Sequence, residues 1–200
     1  MHVHEAIRSR RAIKGFDPEF KLSAEQQTEL FSLAMQAPTA FNLQHWRLVV
    51  VEDPALRKEI RAAAWDQSQI TDASLLVILT GDLASWSKNA ARTWKDAPEP
   101  VRDFMVPAIG HYYEGKPQVQ RDEVMRSAGI VGQTLMLAAR GMGLDSCPMD
   151  GFDFDAVGKL IRLPEDHAIA FIVAIGRKTR EPWPKPGQLP MEEVVIRNRF

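Results

Sequence analysis

The hydrophobic pattern of the chain changes period several times, and each change marks an element. After Ser23, apolar positions recur at Leu30, Leu33, Ala34 and Ala37, the spacing of an amphipathic helix. Ser23 and Gln26 form a capping-box pair at its start, and Pro38 ends it. Arg47 to Glu52 (RLVVVE) is rich in β-branched residues and reads as a strand. Asp53-Pro54 then supplies an N-cap followed by proline at the first helical position, which predicts a helix reaching about Ala64. Ser74 to Thr80 (SLLVILT) is almost continuously apolar, as a strand covered on both faces should be. A long helix is expected from about Arg121 to Arg140, stopped by Gly141-Met142-Gly143. Leu144 to Met149 is strand-like, Asp153 caps a helix through Leu163, and Ala168 to Ile175 (AIAFIVAI) is a last strand. A short helix near residues 2–8 precedes all of these.

Two regions break the pattern. Residues 84–115 are irregular and aromatic, with Trp86, Trp94, Phe104, Tyr112 and Tyr113 among prolines 98, 100 and 107. They read as one or two helices forming a flap, with the aromatic rings either walling a ligand site or packing on the sheet. The tail, PWPKPGQLP, can only be extended, because proline fixes φ and removes a donor. The arm over 180–200 ends in an apolar stretch (Val194, Val195, Ile196) that cannot close a core alone, so it is either frayed or laid along a partner subunit. Gly129 and Gly132 in the long helix would allow close backbone approach, to another helix or within the chain. Helices alternating with about four short strands mean an α/β or α+β sandwich, in one domain spanning 1–200.

Composition narrows the function classes. With 25 Lys and Arg against 26 Asp and Glu, the net charge is −1, which argues against nucleic-acid or membrane-surface binding. No apolar run is long enough to span a bilayer. The first residues carry Arg and Lys but no apolar core of a secretory signal, and the one cysteine, Cys147, makes no internal disulfide; a cytoplasmic location is expected. His2 and His4 have no apparent third ligand, and His45, His111 and His167 lack metal spacing, so no metal site is expected.

Three constellations carry candidate chemistry. RSRRAIKGF contributes Arg8, Arg10, Arg11 and Lys14, guanidinium forks suited to phosphate, although a solvated charged edge would look the same. APTAFNLQHW leads straight into the RLVVVE strand. Its small residues permit close backbone approach, and Asn42 and Gln44 offer both donors and acceptors to a flat heterocycle. SCPMDGF ends a strand in a glycine turn, where Pro148 and Met149 give an apolar shelf and Gly151 a backbone N–H. Taken singly, each is also explained as an ordinary turn or edge.

Together and in this order, these segments resemble the nitroreductase family. The likeness runs from about Ile7 to Val194 and rests on RSRRAIKGF, APTAFNLQHWRLVVV, Gln69 with DASLLVIL, GIVGQTLMLAARGMGLDSCPMDGF, AIAFIVAIG and the final Leu189-Pro190. The resemblance implies an α+β fold with a mixed central sheet flanked by helices, and an interlocked homodimer with exchanged termini and FMN at the subunit interface. It implies that Arg10 binds the FMN phosphate, that Arg11 and Ala12 line the phosphate and ribityl chain, and that Lys14 approaches the N1/O2 edge of the flavin. There a positive group stabilises the anionic reduced ring. Pro38, Thr39, Ala40, Asn42 and Gln44 would come from the other subunit. Gln69 would touch the ribityl or pyrimidine portion, and Pro148, Met149, Asp150 and Gly151 would back one ring face.

The same resemblance implies hydride transfer from NADH or NADPH to flavin N5. The electrons would then pass to a nitroaromatic, quinone or other small planar acceptor on the same face, in ping-pong order and with no catalytic acid or base from the protein. A same-fold specialist, ene-reductase- or dehalogenase-like, and a flavin-binding module without turnover are the alternatives. The chain departs from the family pattern at Gln188, where an Arg usually binds the phosphate, leaving Arg11, Arg177, Lys178 or Lys185 to supply the charge. It departs again at Ala40, where a hydroxyl is lost.

Overall fold

The computed structural model describes residues 1–200. Four strands, β1 (Trp46–Val50), β2 (Leu75–Asp82), β3 (Asp145–Met149) and β4 (His167–Gly176), form one sheet in the order β1-β2-β4-β3. Every strand pair is antiparallel. Parallel pairing enters only where the chain before β1 passes the outer edge of β3, at the Ala12–Ser146 bridge, so the sheet is mixed only in that sense. The helices are α1 (Val3–Ser9), α2 (Ala24–Ala34), α3 (Pro54–Ala62), α4 (Gln69–Asp72), α5 (Ser85–Lys88), α6 (Ala90–Thr93), α7 (Glu99–Tyr113), α8 (Pro117–Gly141), α9 (Phe154–Leu160) and α10 (Met191–Val194).

Local signals set the ends of most elements. Ser23 and Gln26 exchange both capping-box bonds at α2, Asp53 caps α3 by accepting from the Ala55 N–H, and Asp153 caps α9 by accepting from the Ala156 N–H. The long helix α8 starts earlier than its apolar stripe, because Pro117 serves as a first-turn residue. It ends at Gly141, and Gly143 takes the left-handed conformation (φ +80) that lets Leu144 turn back into β3.

The sheet is covered on both faces. Every residue of β2 is buried. Leu75, Val77 and Leu79 face α2 and α8, while Leu76 and Ile78 face the layer that holds Ile60, Ile70, Cys147 and Val157. Side chains alternate with period two, so one strand serves both layers. A bulge between Leu79 and Thr80 shifts the pairing from Phe171 to Ile169 and reverses the facing of β4 beyond it. Gly132 explains how closely α8 sits: a Cβ there would lie 2.3 Å from the Phe171 ring and 2.8 Å from Leu79. That glycine serves packing within the chain. A Cβ at Gly129 would meet nothing within 4 Å, so no intrachain helix approaches it.

The irregular stretch forms three helices, α5, α6 and α7, rather than one or two. They close a third, smaller core of Leu43, Ala90, Ile109 and Tyr113, with Trp86 and Trp94 packed against it. Phe104 and Tyr112 remain exposed, so the flap aromatics divide between packing and surface. No helix is long and apolar enough to cross a membrane.

Candidate flavin site

The cationic motif is built against the β3 edge. Arg10 closes α1, its N–H bonded to the Ala6 carbonyl, and the chain then extends because Ile13 and Phe16 are buried as anchors. The Ile13 N–H donates to the Ser146 carbonyl at 3.1 Å, and Phe16 bridges Lys178. Arg140 ties this corner together, donating to Ser9 Oγ and to Asp145, each at 3.0 Å. On either side of Ile13, Ala12 and Lys14 stay exposed, and Arg11 is half-exposed.

Arg10, Lys14 and Gln69 gather around one buried thiol. Burial pushes the Cys147 thiol up, while the charges of Lys14 and Arg10 and a hydrogen bond with Gln69 pull the other way. Cys147 is thus a protonated packing group and not a nucleophile. Gln69 is buried and donates to Gln67 Oε1 at 3.0 Å. Gln67 in turn donates to the Gly151 carbonyl at 2.8 Å, which fixes the glycine turn after β3. The Trp65 ring lies over that turn, where a Cβ on Gly151 would come within 2.5 Å of it. Trp65 and Asp66 hold left-handed φ values of 51 and 55, and Arg61 grips Asp66 at 2.7 Å. Gln67, Trp65 and Arg140 were not legible as site residues, because nothing local in their sequence marks them.

The amide motif lies at the opposite edge. Residues Ala40–Asn42 form a 3-10 turn, and Phe41, Asn42 and Gln44 all adopt left-handed φ near 50. For residues other than glycine each costs about 1–2 kcal/mol, asparagine less, so the loop must be held from outside. Thr39 Oγ1 accepts from the Gln44 N–H at 3.0 Å, and Arg47 donates to the Gln44 carbonyl at 3.1 Å. Gln44 Nε2 donates to Asn42 Oδ1 at 3.3 Å, pairing the two amides. Next in sequence, His45 is buried beside Ser127, with Nδ1 3.1 Å from its Oγ. Burial lowers its pKa to about 4, against a smaller upward pull from Asp82.

The amide loop and the glycine turn leave the same end of the sheet but on different edges. Trp46 is in register with Gly81 and Ala168, whereas Met149 pairs with Ile172 and runs on toward Ala168. Three strand spacings separate β1 from β3, roughly 14 Å. One protomer therefore does not bring Asn42 and Gln44 to Arg10, Lys14 and Gly151. Beside the amide loop, at the free edge of β1, a cavity of about 720 Å³ is lined by Asn42, Gln44 and Trp46 together with Phe31, Met35 and Leu48.

The donor set at the β3 edge suits a phosphorylated flavin. Arg10 Nη1 and Ser146 Oγ are buried with no hydrogen-bond partner, an arrangement that costs free energy unless a ligand satisfies it. Of the other cations near the missing arginine, Arg177 is engaged with Asp17 and the Phe20 ring, and Lys178 with Glu181. Arg11 donates to the Trp183 carbonyl of the arm. Elsewhere Asp82, Asp166 and His167 converge, a cluster the histidine spacing alone did not reveal. Lys88 Nζ sits among them, 3.0 Å from Asp82 and bonded to Asp166, so an ammonium already supplies the positive charge.

Known proteins resemble this chain in sequence and in fold. The family model described as "Nitroreductase family" matches residues 7–177. Protein DrgA of Synechocystis is 46% identical over 200 residues, covering 98% of this chain and 95% of the relative. The NADH dehydrogenase of Thermus thermophilus is 34% identical over 181 residues, covering 84% and 82%. A protein from Exiguobacterium sibiricum, solved in complex with FMN, superposes with a TM-score of 0.89 at 26% identity, covering 98% of this chain and 97% of that one. By sequence over most of its length and by fold, the chain belongs to the nitroreductase family.

Proposed function

We propose that residues 1–200 form a single FMN-binding domain. Its activity is an oxidoreductase that draws electrons from NADH or NADPH and delivers them to nitroaromatic, quinone or similar planar acceptors. The observation that carries this reading is the buried, unpartnered Arg10 Nη1 at the β3 edge. Arg10 and Arg11 would hold the phosphate, with Ala12 along the ribityl chain and Gln69 beside the ribityl or pyrimidine portion. Lys14 would place positive charge at the pyrimidine edge. Pro148, Met149, Asp150 and Gly151 would form the shelf behind the ring, with the Gly151 turn held by Gln67. Bound FMN would supply the redox chemistry, taking hydride from the nicotinamide and passing electrons to the acceptor in ping-pong order. The protein's task is then to bind, orient and hold charge, which requires no general acid or base from its side chains. The exposed rings of Phe104 and Tyr112 on the flap offer a wall for a flat acceptor.

The proposed assembly is a homodimer with exchanged arms. Two features support it. Pro38, Thr39, Ala40, Asn42 and Gln44 stand at the wrong edge to complete their own protomer's site, so they would serve the partner's. The arm leaves Trp183, Leu189, Met191, Val194, Val195 and Ile196 exposed. The free edge of β1, where Phe31, Met35, Trp46, Leu48 and Val50 line part of the cavity, would receive the partner's arm, and burying each large apolar side chain of the arm contributes roughly 1.5–3 kcal/mol. A cytoplasmic setting belongs to the same proposal and rests on the lone cysteine.

An anaerobic visible spectrum of the purified protein, before and after NADPH and then NADH, tests the function. Flavin bands that bleach with either nucleotide are expected. Bands that persist with both would favour a flavin-binding module without turnover. No flavin even after incubation with FMN would overturn the cofactor assignment.

A further inference from the structure

The amide loop is held by the flap as well as by its own side chains. Trp94 Nε1–H donates to the Phe41 carbonyl at 2.7 Å, across 53 residues of sequence. Asn89 Nδ2 donates to the Leu43 carbonyl at 3.2 Å. Asn89 is buried at the junction of α5 and α6, and the two bonds bracket Asn42. The side chains follow the same plan. The Phe41 ring meets Tyr112 and Tyr113 edge-on at 5.6 and 6.1 Å, and Leu43 is fully buried in the flap's own core.

These contacts fall where the backbone is least able to hold itself. Phe41, Asn42 and Gln44 are left-handed, and a chain free to relax would leave that region. The direction of Asn42 and Gln44 depends on those dihedrals. With one Gln44 Nε2 hydrogen given to Asn42 Oδ1, the pair keeps the Asn42 NH2, the second Gln44 Nε2 hydrogen and the Gln44 side-chain oxygen for a ligand.

We propose that Trp94 and Asn89 are positioning residues: through two hydrogen bonds to loop carbonyls, the flap of one subunit sets the amide pair that faces the flavin held by its partner. This rests on the FMN-dimer reading above. It makes the flap a determinant of cofactor affinity and flavin potential, in addition to any part it plays against the acceptor.

Trp94→Phe tests it, because an aromatic ring stays, though a smaller one, and the N–H goes. FMN affinity would be measured by titrating apo-protein, the midpoint potential of the bound flavin by dye equilibration, and the melting temperature of the apo-protein alongside. Expected are FMN binding weakened roughly threefold to tenfold, the effect of one lost hydrogen bond, and a shifted midpoint potential. Asn89→Ala should shift both in the same direction and guards against a fold defect peculiar to the tryptophan site. A lowered melting temperature with unchanged FMN affinity and potential in both variants would show a purely structural role and overturn the proposal while leaving the FMN reading intact. Failure of the unmutated protein to bind FMN would overturn both.

Discussion

The two halves of the candidate site are held in opposite ways. At the β3 edge the cationic segment is fixed by backbone pairing, with Ile13 and Ala12 against Ser146, and by the buried anchors Ile13 and Phe16. At the β1 edge the amide loop has three left-handed residues and depends on side chains reaching in from the flap, from Arg47 and from Thr39. The difference teaches which half is a fixed platform and which is adjustable. A charge clamp for phosphate tolerates no wandering, because two hydrogen bonds must form in one plane. A pair of amides beside a ring edge can be tuned by small backbone shifts, and here its backbone is set by side chains reaching in from the flap.

If the platform is as described, Arg10→Ala breaks it most severely. FMN affinity should fall by about two to three orders of magnitude, as for other truncated buried charge contacts, with the melting temperature of the apo-protein nearly unchanged. Equilibrium dialysis against FMN checks this, and unchanged occupancy would refute the phosphate assignment. The adjustable half should respond through stability instead. Lys88→Met leaves Asp82, whose side chain is 3% exposed, with the Ala84 N–H and, as its one cation, Arg47 at 3.9 Å. Asp82 also receives the ladder in which its N–H donates to the His45 carbonyl. A loss of about 2 kcal/mol in urea unfolding is expected, less than for a fully enclosed pair because Lys88 is partly solvated.

Acid should act on the same half more gently. His45 titrates near 6.5 in the unfolded chain but near 4 when folded, so between those values the unfolded state binds the extra proton. Stability is complete above pH 6.5 and declines as pH falls toward 4, by about 1–2 kcal/mol at pH 5 from this group. Asp166, held down at about 2 by Lys88 and then His167, gives way only below its ordinary value of 3.8, outside that window. Urea midpoints at pH 7 and pH 5 for the wild type and His45→Phe separate the two; an equal acid loss in both proteins would contradict the assignment.

Most of the frame was legible in the sequence because its signals are local. The Ser23–Gln26 box, the Asp53-Pro54 start, the almost continuous apolar run of β2 and the glycine stop at Gly143 each act within a few residues, and each was found where expected. What was not legible depends on distant neighbours. The left-handed Phe41 has its carbonyl held by Trp94 from 53 residues away, and Gln67 reaches Gly151 across 84 residues. The Asp82, Asp166 and Lys88 cluster joins three separate segments. The cationic, amide and glycine motifs were all visible as residue types, but only the strand order shows that they stand on two edges.

The central claim, that each flavin site takes its cationic half from one subunit and its amide half from the other, is tested most directly by subunit mixing. Arg10→Ala protein would be co-expressed with a variant carrying Asn42→Ala and Gln44→Ala, each inactive alone as an NAD(P)H oxidoreductase. A shared site predicts that activity returns to about one quarter of wild type, since half the dimers are mixed and each mixed dimer keeps one intact site. Activity no greater than that of the separate variants, with mixed dimers demonstrated by mass, would contradict it.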